Sequence, residues 1–453
     1  MWKLQNKDKN YLLLHEKHIY QAFIYLALPV MAANLLKSVH DLVDTYFIGQ
    51  MQDSVSAQAG MSITWPLLNI FLALSVGLAV AGVAIISQYL GSKDIEGARE
   101  YTGLLVVLSV LLGFVLNVGL FLMAPFVLRM MGAEGAVYDA ALIYLRVRSF
   151  EMIFLFLFTA FQATRQARGD TVTPVIISVI AILINIVLTW YFINVLGLGV
   201  FGGALATLIG QAAVAPIILV MMFSKKDELR LTKETLHIKA EHMKKLFVIA
   251  MPAAGSQALS SLGFLILQAV ILSYGDAVAA AFTIGNKVSN LLLIPIMALG
   301  SILAAFVGQN IGAGNKERAR LSYRVSRNCA LVISIVGCMI IYPVREYMLR
   351  LLTNDARTLA VAMEYIFWVI LTQPLMGLFQ NYLGVFNGSG NTAYSFIIAS
   401  ARLWAIRLPL IMLLKQYTTL GEAGIWMAMV ISNMLILVIA KFLFRKVDFE
   451  IKV

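Results

Sequence analysis

Four polar side chains in the first long apolar stretch have the spacing of a single helix face. They are Lys37, His40, Asp41 and Asp44, and positions i, i+3, i+4 and i+7 lie on one side of an α-helix. Two carboxyl groups one turn apart in an apolar medium resist joint ionisation, whereas the Lys37 ammonium favours the charged form of Asp41. A carboxyl group poised between its two states can carry a proton through a transport cycle. We therefore predict a coupling-ion site, for H⁺ or Na⁺, at Asp44 and Asp41, supported by Lys37 and His40.

A second polar pair lies in a later apolar stretch. Asn185 and Thr189 are four residues apart, so a helix places two uncharged oxygen ligands on one face. They are suited to hydrogen-bond an acid of the first stretch or to ligate Na⁺, and we predict them to support the coupling site. For Asp41 a second interpretation stays open, an ion pair with Lys37 that only stabilises packing.

Other polar residues within apolar stretches are candidates for substrate contact, because such groups are costly in hydrocarbon, about 2.5–3.5 kcal/mol for a charge at a helix centre. Glu151 follows Arg148 by three residues, which predicts an intrahelical ion pair, and Glu364 lies near a stretch end, which predicts a structural role. Pro29 precedes the acidic stripe and is the predicted hinge. The candidate substrate-contacting residues are Glu151, Gln257, Gln268, Lys287, Arg402 and Arg407.

The elements that must position these residues are membrane helices. Of the 453 residues, 60% are hydrophobic and only 13% are charged, against about 25% charge in ordinary soluble domains. The apolar windows predict twelve spans of roughly 20 residues or more, at 19–48, 57–89, 101–124, 140–161, 174–194, 201–223, 246–273, 279–310, 325–344, 358–383, 394–414 and 424–444. The composition excludes a soluble fold and predicts an all-α membrane protein.

The distribution of basic residues predicts the orientation. With the N-terminus in the cytoplasm, the cytoplasmic segments contain 24 Lys and Arg residues and the outer segments five. Basic residues concentrate in cytoplasmic loops of membrane proteins, so we expect both termini in the cytoplasm. The same bias accounts for the net charge of +11 without a nucleic-acid partner.

Two other functional classes are disfavoured. No Gly-x-x-x-x-Gly-Lys-Ser/Thr loop is present, which argues against an ATP-driven pump. Of the five histidines only His40 lies in an apolar stretch, so we predict no metal site, no catalytic cluster and no enzyme.

The chain repeats itself at an offset of 221 to 223 residues. Pro29 pairs with Pro252, Gly169-Asp-Thr with Gly390-Asn-Thr, and Gly199-x-x-Gly with Gly421-x-x-Gly. Each repeat contains six spans, an even number, so the two repeats are parallel. We predict an N-terminal lobe at 1–223, a polar cytoplasmic linker at 224–245 that serves as a solvated tether, and a C-terminal lobe at 246–453. Two such lobes around a cleft suit alternating access.

From about residue 19 to residue 445 the chain resembles the multidrug and toxic compound extrusion (MATE) family. The resemblance rests on Leu28-Pro29, Leu42–Gly49 (LVDTYFIG), Arg165–Thr171 (RQARGDT), Gly199-x-x-Gly202 and Gln309–Ala319 (QNIGAGNKERA). It implies a MATE/MOP-type fold, in which two parallel six-helix repeats form V-shaped lobes around a central cleft.

The resemblance also implies roles for single residues. Asp44 matches the span-one aspartate to which the family's coupling ion binds, and Pro29 matches the proline at which that helix bends. Lys37 and Asp41 are not part of this pattern. Members that bind Na⁺ in the second lobe carry acids in spans seven and ten. Here span seven has none and span ten has only Glu364, which is similar to the DinF-type branch and favours H⁺ over Na⁺.

The function implied is secondary active export of cationic and amphipathic organic compounds against an inward flow of H⁺ or, less favoured, Na⁺. The expected location is the cytoplasmic (inner) membrane of a prokaryote, the expected state a monomer, and the expected partners small organic molecules and the lipid bilayer. No cofactor is expected besides the coupling cation. The alternative is a flippase for a lipid-linked saccharide of the same superfamily, which would use Arg402 and Arg407 to hold a phosphate.

Overall fold

A computed structural model describes residues 9–49 and 54–452 of the chain. Within these residues the secondary structure is helical, without β-strands. The helices are α1 (Lys9–Leu14), α2 (Ile19–Gly49), α3 (Ser54–Gly91), α4 (Ile95–Met130), α5 (Gly135–Ala167), α6 (Val172–Trp190), α7 (Gly199–Phe223), α8 (Ala240–Leu272), α9 (Asp276–Gly312), α10 (Lys316–Arg350), α11 (Ala356–Gly388), α12 (Thr392–Ser400), α13 (Leu408–Tyr417) and α14 (Glu422–Arg445).

The long helices match the twelve predicted spans in number and order. In the described part of the chain, eleven are long and apolar enough to cross a membrane, with α12 and α13 forming one of them. The remaining long helix is α5, which has 33 residues. Six long helices precede the segment 224–239 and six follow it, so the twelve-helix prediction and its two six-helix repeats are confirmed.

Several helices extend beyond the apolar windows because polar residues cap their starts. Asp94 accepts a hydrogen bond of 2.9 Å from the Gly97 N–H at the start of α4. Asn315, its repeat equivalent, accepts one of 2.9 Å from the Arg318 N–H of α10. Such caps satisfy N–H groups that have no partner within the helix. Apolar windows report the apolar length of a span, whereas the caps determine where its helix begins.

By its internal contacts the chain divides into two compact units, residues 32–254 and residues 1–31 with 255–452. The first boundary falls within α2, two residues after Pro29, and the second falls within α8, two residues after Pro252. A proline inside a helix has no N–H for the preceding turn and weakens the helix there. The two boundaries therefore follow the two repeat-equivalent prolines at the same distance.

The second unit includes the start of the chain. Leu12 and Leu13 of α1 are fully buried in an apolar cluster that contains Phe306 of α9. The Arg318 guanidinium donates to the Leu13 carbonyl at 3.3 Å and to the Glu16 carbonyl at 2.9 Å. The segment before α2 is thus held by both apolar packing and hydrogen bonds within this unit.

The segment between α7 and α8 belongs to the unit of residues 32–254 and packs against the end of α5. Asp227 forms ion pairs with Arg165 and Arg168 at the end of α5, and Leu229 and Leu231 are buried. These contacts differ from the solvated tether expected from its polar composition. The reason is that its charges have fixed partners and its two leucines reach the apolar interior.

Two short segments have π-helical hydrogen bonding. Tyr191–Val195 continues α6, and Ala401–Arg407 joins α12 to α13. The N–H groups of Leu196 and Leu408 bond to carbonyls five residues earlier, those of Tyr191 and Leu403. π-helical turns are rare and are often found at functional sites.

Candidate functional site

The predicted coupling stripe lies on one helix, as its spacing requires. All four of its residues are within α2, which is helical from Ile19 to Gly49. Lys37 is exposed and His40 is partly buried. The side chains of Asp41 and Asp44 lie outside the described part of the structure, and their coupling role stays a prediction. The backbone places all four residues on a single helix face.

The structure brings three of the predicted residues together. His40 Nε2 lies 2.7 Å from Asn185 Oδ1, which joins α2 to α6. The Thr189 hydroxyl points to the same oxygen at 3.5 Å. Asn185 Nδ2 donates to Thr207 Oγ1 of α7 at 3.1 Å. Asn185 and Thr189 are 3% and 1% exposed, so this polar chain lies inside its unit.

The hydrogen bonds of this chain assign the proton on His40. Thr207 Oγ1 donates its hydrogen to the Gly203 carbonyl at 3.1 Å, so it accepts from Asn185 through a lone pair. Asn185 then presents Nδ2 to Thr207 and Oδ1 to His40. An amide oxygen only accepts hydrogen bonds, so Nε2 of His40 carries the hydrogen that it shares with Asn185.

Thr207 was not predicted from the sequence. It meets Asn185 because α6 and α7 approach closely at Gly210, where a Cβ atom would lie 2.9 Å from the Ala181 carbonyl oxygen and 3.2 Å from Asn185 Cβ. The small residues Gly203 and Gly210 flank Thr207 at i−4 and i+3. That spacing, typical of closely packed membrane helices, is the signal from which Thr207 could have been identified.

The predicted ion pair within α5 is confirmed. Arg148 Nη1 lies 2.6 Å from Glu151 Oε2, and the Glu151 side chain is 3% exposed. A buried carboxylate paired within its own helix is charge-compensated. The pair therefore accounts for Glu151 without a substrate, and a role in substrate contact stays a prediction.

The second unit does not gather its predicted polar residues into one cluster. Gln257 and Gln268 of α8 and Lys287 of α9 are exposed. Arg402 and Arg407, on the π-helical segment, are 8% and 5% exposed. Among the described residues no hydrogen bond joins the first three to the two arginines.

The two arginines have different partners. Arg407 Nε donates to Ser432 Oγ at 3.0 Å and its Nη2 donates to Asn433 Oδ1 at 2.8 Å, both on α14. Arg402 Nη1 lies 3.0 Å from Met376 Sδ, and its guanidinium carbon lies 4.4 Å from the centre of the Phe379 ring, both on α11. A thioether sulfur is a weak acceptor. Arg407 is well satisfied, whereas Arg402 is not.

The described residues offer no metal centre. No group of three or more His, Cys, Asp and Glu side chains with the arrangement of a metal site occurs among them. The two cysteines, Cys329 and Cys338, are both buried and free. In the unit of residues 32–254, the hydrogen bonds from His40 to Asn185 and from Asn185 to Thr207 join helices α2, α6 and α7.

Comparison with known proteins gives full-length relatives. The chain is 26% identical over 439 residues to "Probable multidrug resistance protein YoeA" of Bacillus subtilis, covering 94% of this chain and 95% of the relative. It is 27% identical over 436 residues to "Probable multidrug resistance protein NorM" of Thermotoga maritima, covering 93% and 91%.

The fold also matches a solved structure. That structure is described as the outward-facing conformation of a multidrug resistance MATE family transporter of the MOP superfamily. The match has a TM-score of 0.89 with 22% identity and covers 98% of this chain and 97% of that chain. At this level of identity the likeness establishes the MATE/MOP fold.

The family assignment comes from a model that matches twice. The MatE family model matches residues 29–191 and residues 252–413. The two matched stretches begin 223 residues apart and end 222 residues apart, which is the offset of the internal repeat. The chain belongs to the MatE (MATE) family, whose members are membrane transporters and not enzymes.

Proposed function

We propose that this protein is a secondary active multidrug exporter whose coupling site lies in its first half, on α2. The observation that carries the proposal is the hydrogen-bonded chain from His40 through Asn185 to Thr207. It ties the helix with the predicted acids to two neighbouring helices through buried polar groups. Asp44 lies one turn after His40 on the same face. We infer that Asp44 is the principal coupling group and that Asp41 modulates it.

The surroundings favour H⁺ as the coupling ion. α6 and α7 contain no Asp, Glu, Lys or Arg, so neither of the two helices that His40 reaches through Asn185 adds a charged group to the site. Na⁺ requires several free oxygen ligands, but Asn185 Oδ1 is already shared by His40 and Thr189, and Thr207 Oγ1 bonds Asn185 and Gly203. A proton needs only one basic atom, which a carboxylate or imidazole supplies.

The substrates that we propose are cationic and amphipathic organic compounds. Two full-length relatives are named multidrug resistance proteins, and export of varied compounds is consistent with an apolar chain that contains 21 Met and 25 Phe. Flexible, polarisable side chains such as Met adapt to ligands of different shape. The protein would work as a monomer in the cytoplasmic membrane, with both termini in the cytoplasm, where its basic segments lie.

The transport cycle that we propose is alternating access of two lobes, residues 1–223 and 246–453, joined by 224–245. Pro29 is the proposed hinge of α2. Support comes from the contact boundaries, which follow Pro29 and its repeat equivalent Pro252 by two residues each. A helix weakened at that point can bend without disturbing the packing on either side.

The test is dye export from proteoliposomes that contain wild-type protein or the Asp44→Asn variant. Export is driven first by a pH gradient without Na⁺ and then by a Na⁺ gradient at equal pH. We expect wild-type flux with the pH gradient alone and none in the variant. Flux only with Na⁺ would contradict proton coupling. Flux that persists in Asp44→Asn would remove Asp44 from the mechanism. If neither gradient drives flux, the lipid-linked saccharide flippase becomes the better hypothesis.

A further inference from the structure

A pair of buried arginines near the middle of the eleventh span has no counter-charge among the residues that the structure describes. The span runs from Thr392 to Tyr417, and Arg402 and Arg407 are its eleventh and sixteenth residues. Both are more than nine-tenths buried. A charge at the centre of a membrane span is costly and is normally paired or functional. This pair therefore requires a physical explanation.

The π-helical segment brings the two arginines close along the helix. In an α-helix, residues five apart point in different directions, because one turn contains 3.6 residues. In a π-helix the hydrogen bond runs between residues five apart, so such residues lie one turn apart. Ala401–Arg407 is π-helical, which stacks Arg402 and Arg407 on neighbouring turns. This places two positive charges together.

No described acid neutralises them. Neither arginine forms an ion pair with a described residue. In the helices α9–α14, every acid except Glu364 lies within five residues of a helix end. Glu364 precedes Met376, which Arg402 contacts, by twelve residues, or about 18 Å along α11. A counter-anion must therefore come from elsewhere.

One edge of the Arg402 guanidinium has no hydrogen-bond partner among the described residues. Its Nη1 group is directed at the Met376 sulfur. Nε is fully buried and has no hydrogen-bond partner, and Nη2 makes no hydrogen bond to a described residue. The Nε–H and the adjacent Nη2–H are parallel donors that match the two oxygens of a carboxylate or phosphate. A buried guanidinium edge without a hydrogen-bond partner is energetically costly unless a ligand satisfies it.

We propose that the second half contains an oxyanion site, in which the Nε–Nη2 edge of Arg402 binds a carboxylate or phosphate group of an otherwise apolar ligand. Arg407, fixed by Ser432 and Asn433, adds a second positive charge one turn away. Met376 and Phe379 line the guanidinium with apolar surface, which suits an amphipathic ligand. The inference goes beyond the proposed export of cations, because it predicts that zwitterionic and anionic compounds are also bound.

The test is equilibrium binding of two fluorescent dyes to detergent-solubilised protein without any gradient. Rhodamine 110 carries a free carboxylate, and rhodamine 123 is its methyl ester. We expect wild-type protein to bind the acid at least tenfold more tightly than the ester. Arg402→Lys keeps the charge but loses the parallel donors, and it should reduce this preference at least tenfold. Met339→Leu, a volume-conserving change at an exposed position of α10, is the control and should leave the preference within twofold of wild type.

A second arm identifies the source of the oxyanion. Phosphatidic acid added to phosphatidylcholine nanodiscs should displace rhodamine 110 from wild type if a lipid headgroup also occupies the site, whereas no displacement would restrict the site to soluble ligands. Equal binding of acid and ester by wild type would overturn the proposal, as would an unchanged preference in a monodisperse Arg402→Lys variant. Because binding needs no gradient, these results are independent of whether Asp44 couples transport.

Discussion

Asn185 and Arg407 occupy equivalent positions in the two halves of the chain, yet their chemistry differs. At the 222-residue offset of the repeat, Asn185 corresponds to Arg407 and Gly210 corresponds to Ser432. Asn185 packs beside Gly210, with 3.2 Å between its Cβ and the Cβ that Gly210 would have. Arg407 donates to the Ser432 hydroxyl at 3.0 Å. The contact between these two helices is therefore present in both halves of the chain, but the side chains that form it differ.

This difference separates groups that titrate from groups that do not. In the first half, Asn185 bonds to His40, an imidazole, which is the side chain that titrates near neutral pH, on the helix that also carries two carboxyl groups. In the second half a guanidinium stays charged at all physiological pH values. Under the proposed function, the first half binds and releases the coupling proton, whereas the second half holds a fixed charge.

The largest expected effect is that of Asp44→Asn, which we compare with the neutralisation of one acid in the second half. Asp44→Asn should reduce gradient-driven dye export to background, because an amide cannot bind and release a proton. Glu364→Gln should keep export within about twofold of wild type, because Glu364 is the predicted structural acid of the second half. Both are measured in proteoliposomes at matched protein content. Complete loss in Glu364→Gln would show that coupling is not confined to the first half.

A second test exchanges the small residues beside Asn185 and Arg407. Gly210→Ser places a side chain 2.9 Å from the Ala181 carbonyl, so α6 and α7 must move apart at a cost of about 1–3 kcal/mol. Ser432→Gly removes one hydrogen bond to a charged group, about 1.5–3 kcal/mol. Both should lower the unfolding temperature. We expect only Gly210→Ser to alter the pH dependence of export, since only it displaces Asn185. The same change in Ser432→Gly would argue against a division of work.

A smaller effect is expected from replacing the titratable group that bonds Asn185. In His40→Gln, the amide can still donate to Asn185 Oδ1 but cannot titrate. Export should fall several-fold at most and its pH profile should become flatter around neutral pH. His40→Leu, which lacks the donor, is the comparison that separates titration from hydrogen bonding. A His40→Gln profile that matches wild type would limit His40 to a structural role.

Much of the fold was predictable because hydropathy and duplication are properties of the sequence itself. All twelve spans and the six-helix repeat follow from apolar windows and from pairs such as Pro29 and Pro252. The helix ends were less predictable, because caps such as Asp94 and Asn315 lie outside the apolar windows. The π-helical segments leave no composition signal, so the stacking of Arg402 and Arg407 was not foreseen.

The candidate site was predicted in part, for a similar reason. Spacing along one helix identified the pair Asn185 with Thr189, since helix geometry fixes neighbours within a chain segment, whereas the pairing of Lys37 with Asp41 stays a prediction. Contacts between helices depend on how closely the helices pack. The close approach of α6 and α7 at Gly210 is what allows Thr207 to bond Asn185. The ion pairs of Asp227 with Arg165 and Arg168 were also not predicted, because the composition of a polar segment does not show which charged side chains it contacts.

The smallest expected effect concerns two equivalent helix starts. Glu134 precedes α5 and makes no capping hydrogen bond, whereas Asp355 precedes α11 and accepts one of 2.7 Å from the Thr358 N–H. That bond holds the pKa of Asp355 below its usual range. The folded state therefore gives up this proton more readily than the unfolded state, so the stabilisation is complete above the unfolded pKa of about 3.9 and is lost as pH falls through the lower folded value.

Between pH 5 and pH 3 the unfolding temperature of Asp355→Asn should decrease slightly less than that of wild type, while Glu134→Gln should follow wild type. Equal slopes for all three proteins would mean that the cap of α11 contributes no pH-dependent stability.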